Sequence, residues 1–244
     1  MTAEVRDLTV HIDTGRWSGT VLTDVDLTVP AGRITVVLGE PGAGKTMLAA
    51  ALTGRLPATA RRRGHTLIDG AIVDAAQWPQ LLGPVVGWVP QEGVTAFEPA
   101  TTIGAQLRAS ERRHRAWTVQ QACAAAYYPA DALELLPGQN SGGQIQRAAL
   151  AAALLPAPST LIVDGPTNSL DMGTAYGVWK SLRDYADSGA AVLAISNEVA
   201  LLAAGGFADR LVVLHQGRVR GTGTPTQLAD STDPYVKALL ESGS

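Results

Sequence analysis

A single cysteine, Cys123, in a chain of 244 residues excludes an internal disulfide, a cysteine-built metal centre and an iron–sulfur cluster. No apolar run approaches the roughly 18 residues needed to cross a bilayer. The opening MTAEVRDLTVHID holds an acidic residue at Glu4 and no apolar stretch of the kind a secretory leader requires. Charge is sparse, with 17% charged residues and a net −3. The isoelectric point near 5.8 gives no basic excess for holding nucleic acid by bulk electrostatics. His11, His65, His114 and His215 stand alone in sequence, with no spacing suited to a metal. These absences read as a cytoplasmic protein whose membrane role, if it has one, comes through a partner.

What is present in quantity is apolar residue (46%) and glycine (26 residues), enough for one domain spanning residues 1–244 with a sizeable core. No internal repeat and no low-complexity linker divides it. Alternating apolar positions predict strands at Val5–Asp13 and Val21–Val29. Continuous apolar runs predict buried strands at Arg33–Leu38, Leu81–Pro90, Thr160–Asp164 and Ala190–Ser196. Helical periodicity covers Lys45–Leu56, most of Thr101–Tyr128, Ser141–Leu155 and Thr174–Ser188, and a hairpin turns at His215-Gln216-Gly217. Strand, glycine turn and helix in succession indicate an α/β fold with a mostly parallel sheet.

The turn between the third strand and the first helix reads Gly39-Glu40-Pro41-Gly42-Ala43-Gly44-Lys45-Thr46. It satisfies G-x-x-x-x-G-K-[ST] in full and in the correct setting. Its glycines let backbone N–H groups converge on phosphate oxygens, and the helix N-terminus adds partial positive charge. Lys45 is expected to reach the β- and γ-phosphates of a nucleoside triphosphate, and the Thr46 hydroxyl to ligate Mg²⁺. Asp164, closing the apolar strand Thr160–Asp164, is the expected second Mg²⁺ contact, acting through its water shell.

A second anion-ready turn, Asn140-Ser141-Gly142-Gly143-Gln144, opens another helix. With it the chain resembles the ATP-binding subunits of ABC transporters, whose signature is usually written L-S-G-G-Q. The likeness runs over essentially the whole chain and implies a P-loop NTPase fold of the ABC type. It also implies an antiparallel β portion near the N-terminus and a helical subdomain at about residues 92–140. Gln91 matches the Q-loop glutamine that touches Mg²⁺ and the attacking water, and Ser169-Leu170-Asp171 matches the D-loop. Trp17 is either the ring that stacks on adenine or an ordinary core or surface tryptophan. In this family two domains face head to tail, each ATP lying between one phosphate loop and the opposite signature.

A finer resemblance is to the peptide, nickel and opine importers. It rests on residues 92–99 with Thr102–Leu107, on Leu56-Pro57 followed by Gly64 and Asp69-Gly70, and on the ending Asp233-Pro234-Tyr235-Val236-Lys237-Ala238-Leu239-Leu240. It implies two integral membrane permease subunits, an extracytoplasmic solute-binding protein and a place on the cytoplasmic face of the membrane, with residues 92–99 toward the permeases.

Two positions break the family pattern. The glutamate that normally follows the strand aspartate and polarises water is Gly165, and the histidine that contacts the γ-phosphate is Asn197. Glycine can neither accept a proton nor orient water, and losing a positioned base typically costs about 10²–10⁴ in rate. Glu198 is adjacent, but strand alternation aims its side chain away. Both losses fall at one site while every phosphate and Mg²⁺ contact is kept. The pattern points to an asymmetric pair in which this chain holds ATP and its signature completes the active site of a catalytically competent partner. The alternative class is a soluble regulatory ABC-type nucleotide-binding protein. Paired-domain translation or repair factors are too long for 244 residues, and exporters often fuse this domain to membrane helices.

Other features read more plainly. Arg61-Arg62-Arg63 is expected to be a solvated loop. Arg112-Arg113-His114-Arg115 reads the same way, or as a contact with a permease. Cys123 is expected to pack as a small apolar residue, and Trp78 and Trp88 to belong to the core.

Overall fold

Each central strand carries apolar side chains on both of its faces, and that property organises the molecule. In the computed structural model, which describes residues 1–241, the strands are β1 (Ala3–Asp13), β2 (Ser18–Val29), β3 (Ile34–Leu38), β4 (Ala60–Ile68), β5 (Ala71–Ile72), β6 (Val86–Val89), β7 (Thr160–Asp164), β8 (Ala191–Ile195), β9 (Arg210–His215) and β10 (Arg218–Gly223). The α-helices are α1 (Lys45–Leu52), α2 (Trp78–Leu81), α3 (Ile103–His114), α4 (Val119–Ala125), α5 (Gly142–Leu154), α6 (Met172–Asp187), α7 (Val199–Gly205), α8 (Pro225–Ala229) and α9 (Pro234–Glu241).

Two sheets form. One has the order β2-β1-β4-β5 and is antiparallel; the other has the order β10-β9-β3-β8-β7-β6 and is parallel except for its β9–β10 edge. In the larger sheet Val36 of β3, Val163 of β7 and Val192 of β8 pack with α5 and α6. Their neighbours Val37, Ile162 and Leu193 pack the opposite way, with α1 and the antiparallel sheet. A strand buried on both faces must read as a continuous apolar run, so these strands lie where the sequence puts them. The N-terminal antiparallel portion is also as expected. Helix α1 is sandwiched between the two sheets, with Leu48, Ala49, Ala51 and Leu52 buried. Among the described residues no helix is long and apolar enough to cross a membrane.

Several boundaries differ from expectation. Helix α1 stops at Leu52, four residues short, because Gly54 takes a left-handed φ of 65° and Pro57 follows. The arginine run is a strand, not a loop: in β4, Arg61, Arg62 and Arg63 pair with His11, Val10 and Thr9 of β1. All three are solvent-exposed, so charge hid a strand that lies at the surface. The predicted strand Leu81–Pro90 shortens to Val86–Val89, its first residues being taken by α2 and a turn. The helical stretch over Thr101–Tyr128 divides into α3 and α4 at Arg115, which has a left-handed φ of 54°. Cys123 is buried, and burial pushes its thiol up to about 11. Trp78 is also buried, while Trp88 is half-buried against the same core.

Candidate nucleotide site

Strand β3 ends at Leu38 and α1 begins at Lys45, so the six intervening residues must reverse direction at the end of a parallel strand, where α/β folds place their ligands. The loop borders a cavity of about 510 Å³. Pro41, Gly42, Gly44, Lys45 and Thr46 line one wall, and Gln91, Asp164, Gly165 and Asn197 line the others. Residues separated by up to about 150 positions in the chain are thus brought to one place by the strand order β3-β8-β7-β6.

The loop is held by its own lysine. Lys45 Nζ donates to the carbonyl oxygens of Gly39 at 2.5 Å and Glu40 at 3.0 Å. Thr46 Oγ1 donates to Asp164 Oδ2 at 2.8 Å, which leaves the threonine lone pairs free for a cation. Burial lowers the Lys45 ammonium below its ordinary value, against the opposing pull of Asp164 and Glu40. Burial likewise raises the Asp164 carboxyl, against the Thr46 hydrogen bond and the Lys45 charge. In both groups desolvation outweighs the attraction between them, and shifts of this kind are common among ionisable groups in functional clefts. Hydroxyl and carboxylate oxygens suit Mg²⁺, which takes few protein ligands and completes its shell with water and phosphate. No group of three or more His, Cys, Asp or Glu that could hold a metal occurs among the described residues.

At position 165 the backbone itself disfavours a side chain. Gly165 has φ +66°, a left-handed conformation that side-chain-bearing residues rarely adopt, and a Cβ built there would lie 2.2 Å from Asn168 Nδ2. Asn197 faces the carbonyl oxygens of Gly39 and Ser196, and with its amide nitrogen turned toward them it donates at 3.1 and 3.2 Å. Its amide therefore fastens to the same Gly39 carbonyl that Lys45 holds.

One expectation is corrected here. Glu198 lines the cavity instead of pointing away from it, because β8 ends at Ile195 and strand alternation no longer governs the two residues beyond Ser196. Its carboxylate accepts hydrogen bonds from the Thr167 hydroxyl and from Trp179 Nε1. Sequence reasoning also missed Asn168 and Gln146. The buried Gln146 donates from Nε2 to Pro90 O at 3.0 Å and Gly165 O at 3.2 Å, tying the Gln91 turn to the end of β7. Its position two residues after the Ser-Gly-Gly-Gln run was the available signal.

The second turn lies outside this cavity. Ser141 caps α5, accepting from Gln144 N at 3.2 Å while Gln144 Oε1 accepts from Ser141 N at 2.9 Å. Asn140 is absorbed locally: its Oδ1 accepts from the Tyr128 hydroxyl at 2.9 Å and its Nδ2 donates to Leu136 O at 2.9 Å. Gly142 and Gly143 pack against Ser169 and Leu170, and Asp171 caps α6 by accepting from Thr174 N at 3.0 Å. The Thr174 hydroxyl, and after it that backbone bond, hold the Asp171 carboxyl below its usual range. Trp17 sits in the β1–β2 turn, 53% exposed, its ring over Gly19. Among the residues expected in the site, Trp17, Gly39, Glu40 and Ala43 do not line the cavity.

Comparison with known proteins gives three kinds of likeness. A family profile described as ABC transporter matches residues 22–168. The chain is 31% identical to the oligopeptide transport ATP-binding protein OppD of Mycobacterium tuberculosis, over 98% of this chain and 41% of that one. It is 29% identical to the metal-staphylopine import system ATP-binding protein CntD of Staphylococcus aureus, over 97% of this chain and 91% of that one. It thus spans about two fifths of the mycobacterial relative and nearly all of the staphylococcal one. A solved structure of an ATP-binding subunit of an ABC transporter superposes with a TM-score of 0.80 at 22% identity, covering 99% of this chain and all of that one.

Proposed function

The chain belongs to the ABC transporter family, and from that premise we propose that it is the ATP-holding half of an asymmetric ATPase pair in an importer of the peptide or metallophore class. The observation that carries this reading is the contrast within one cavity. Lys45, Thr46 and Asp164 line one cavity, with Lys45 bonded to the Gly39 and Glu40 carbonyls and Thr46 to Asp164, whereas position 165 has neither a side chain nor a backbone conformation suited to one.

In this reading ATP binds with its phosphates at the Gly39–Thr46 loop. Lys45 exchanges its bonds to Gly39 and Glu40 for phosphate oxygens, and Thr46, Asp164 and Gln91 hold Mg²⁺ directly or through water. Bound Mg²⁺ offsets the charge of the triphosphate. Trp17, an exposed ring in the β1–β2 turn outside the cavity lining, is either the ring that stacks on the nucleobase or an ordinary surface tryptophan. Asn197 can offer the γ-phosphate a neutral donor only by giving up its bond to the Gly39 or the Ser196 carbonyl, where a histidine could carry charge. Nothing at position 165 orients water, so ATP persists here. Ser141–Gln144, with Ser169–Asp171 beside it, completes the active site of a competent partner subunit. A homodimer would place Gly165 at both sites and could not drive transport.

The remaining partners are two membrane permeases at the cytoplasmic face, met by residues 92–99 and the helical segment at about 92–140, and an extracytoplasmic solute-binding protein. Support for an importer comes from the likeness to CntD, an import-system ATP-binding protein, and for the peptide class from the likeness to OppD, an oligopeptide transport ATP-binding protein.

The deciding experiment is ATP hydrolysis by the assembled complex after the partner's catalytic glutamate is changed to glutamine. Loss of nearly all turnover is expected. Substantial remaining turnover would show that this chain activates water by another route. Failure to copurify with permeases would favour the soluble regulatory alternative.

A further inference from the structure

The C-terminal helix has no part in the chemistry described so far, yet it reaches the phosphate loop. Helix α9 is fixed at its start by Asp233, whose Oδ1 accepts from Tyr235 N at 2.8 Å and Val236 N at 3.2 Å, and whose Oδ2 accepts from Arg220 Nη2 at 2.8 Å. Val236 is fully buried, and its side chain lies close over Gly221 of β10. So anchored, α9 directs Tyr235 at the loop. The Tyr235 ring lies against His215, with centroids 3.9 Å apart and an interplanar angle of 41°. The Tyr235 hydroxyl accepts from Glu40 N at 3.4 Å. His215 Nδ1 in turn lies 3.9 Å from the Glu40 carboxylate.

Glu40 is therefore gripped from outside the cavity by two rings. From inside, its carbonyl accepts from the lysine that must meet the phosphates. We propose that Tyr235 is a positioning residue for the phosphate loop and that docking of α9 is coupled to nucleotide binding through Tyr235, His215 and Glu40. This rests on the reading of the cavity as an ATP site. Linkage makes the coupling reciprocal: if docked α9 raises affinity for ATP, ATP must hold α9 docked by the same factor.

The test uses the full chain, Mg²⁺-ATP and two variants. Affinity is read by displacement of a fluorescent nucleotide, and α9 docking by hydrogen exchange of the amides of residues 235–241 with and without Mg²⁺-ATP. Tyr235→Phe keeps the ring on His215 and removes the hydroxyl that accepts from Glu40; it is expected to weaken ATP binding about threefold, as loss of one neutral hydrogen bond does. Tyr235→Ala removes the ring as well and is expected to weaken binding about tenfold, with tyrosine and phenylalanine ranked above alanine. In the wild type, saturating Mg²⁺-ATP slows exchange in α9, and in Tyr235→Ala that slowing is lost. Wild-type affinity in both variants overturns the proposal, even if their α9 exchanges faster, since Tyr235 would then be merely structural. Absence of any ATP binding by the wild type overturns the reading of the cavity itself. Should Tyr235→Ala fail to fold, Tyr235→Phe and the wild-type exchange comparison still decide.

Discussion

A glutamate introduced at position 165 would meet two obstacles of unequal size. The exposed Asn168 amide, 2.2 Å from the nearest Cβ position, can swing aside into solvent at small cost. The φ of +66° cannot be relieved so easily, because a Cβ in the left-handed region crowds the following carbonyl by about 1–2 kcal/mol. Gly165→Glu in this chain, assembled with a partner whose own glutamate is changed to glutamine, is therefore expected to leave ATP hydrolysis within about threefold of the unrestored complex, far below the 10²–10⁴ a positioned base supplies. Gly165→Ala is expected to lower stability by about 1 kcal/mol for the same backbone reason, read from the thermal midpoint. Recovery of full turnover by Gly165→Glu would show that the backbone refolds around the new side chain. The missing glutamate is visible in the letters of the sequence. The sign of φ and the amide over the glycine are not, because they depend on how the turn from β7 to α6 closes.

The ends of the elements are tied by a cluster around Asp209. Its Oδ1 accepts from Arg33 Nη1 at 2.8 Å, and its Oδ2 from Arg183 Nη1 at 2.5 Å and Ile34 N at 2.8 Å. The starts of β3 and β9 and the C-terminal part of α6 therefore share one carboxylate. Partial burial pushes the Asp209 carboxyl up, but the Ile34 N–H and the Arg33 and Arg183 guanidinium groups outweigh it and hold the carboxyl below its usual range. A group whose pKa is depressed by folding stabilises the native state above its unfolded pKa, about 3.9 for aspartate, and loses that contribution as pH falls through the folded value. Asp209→Asn is thus expected to lower the denaturation midpoint near neutral pH, with the difference from wild type shrinking below about pH 4. A gap that persists unchanged in acid would assign the loss to packing. At this scale β3, β7 and β8 were legible because burial on both faces leaves an uninterrupted apolar run. Strand β4 was not, since Arg61, Arg62 and Arg63 break every apolar pattern while pairing only through their backbone. Helices α7, α8 and α9 were not legible either; α9 is as long as α1 but has no phosphate-loop glycine turn before it to mark its start.

At the scale of the whole molecule, two helix N-termini suited to anions point to different places. The start of α1 opens into the cavity, whereas the start of α5 is capped by Ser141 and lies outside it, against Ser169 and Leu170. In the proposed pair this chain carries two half-sites, and only the α5 half takes part in hydrolysis. Substitutions in the two halves should then have different consequences. Lys45→Ala removes the cation facing the phosphates and is expected to abolish ATP binding by this chain, while the complex keeps a reduced turnover at the other site. At Gly143 a side chain would be crowded: a Cβ would sit 2.7 Å from Leu170 Cδ2, the movable end of its side chain, and 3.0 Å from Ser169 O. Gly143→Asp adds negative charge as well as bulk, directly where the partner's γ-phosphate would be met. Loss of positioned donors to a reacting anion costs about 10²–10³ in turnover, and the variant is expected to fall at least that far in the assembled complex. Unchanged ATP binding by the isolated Gly143→Asp chain would establish that it folds and that its own cavity is intact. Wild-type turnover with Gly143→Asp, or complete loss with Lys45→Ala alone, would mean that hydrolysis runs through this chain's cavity, and the division of labour between the two half-sites would be the reverse of the one proposed.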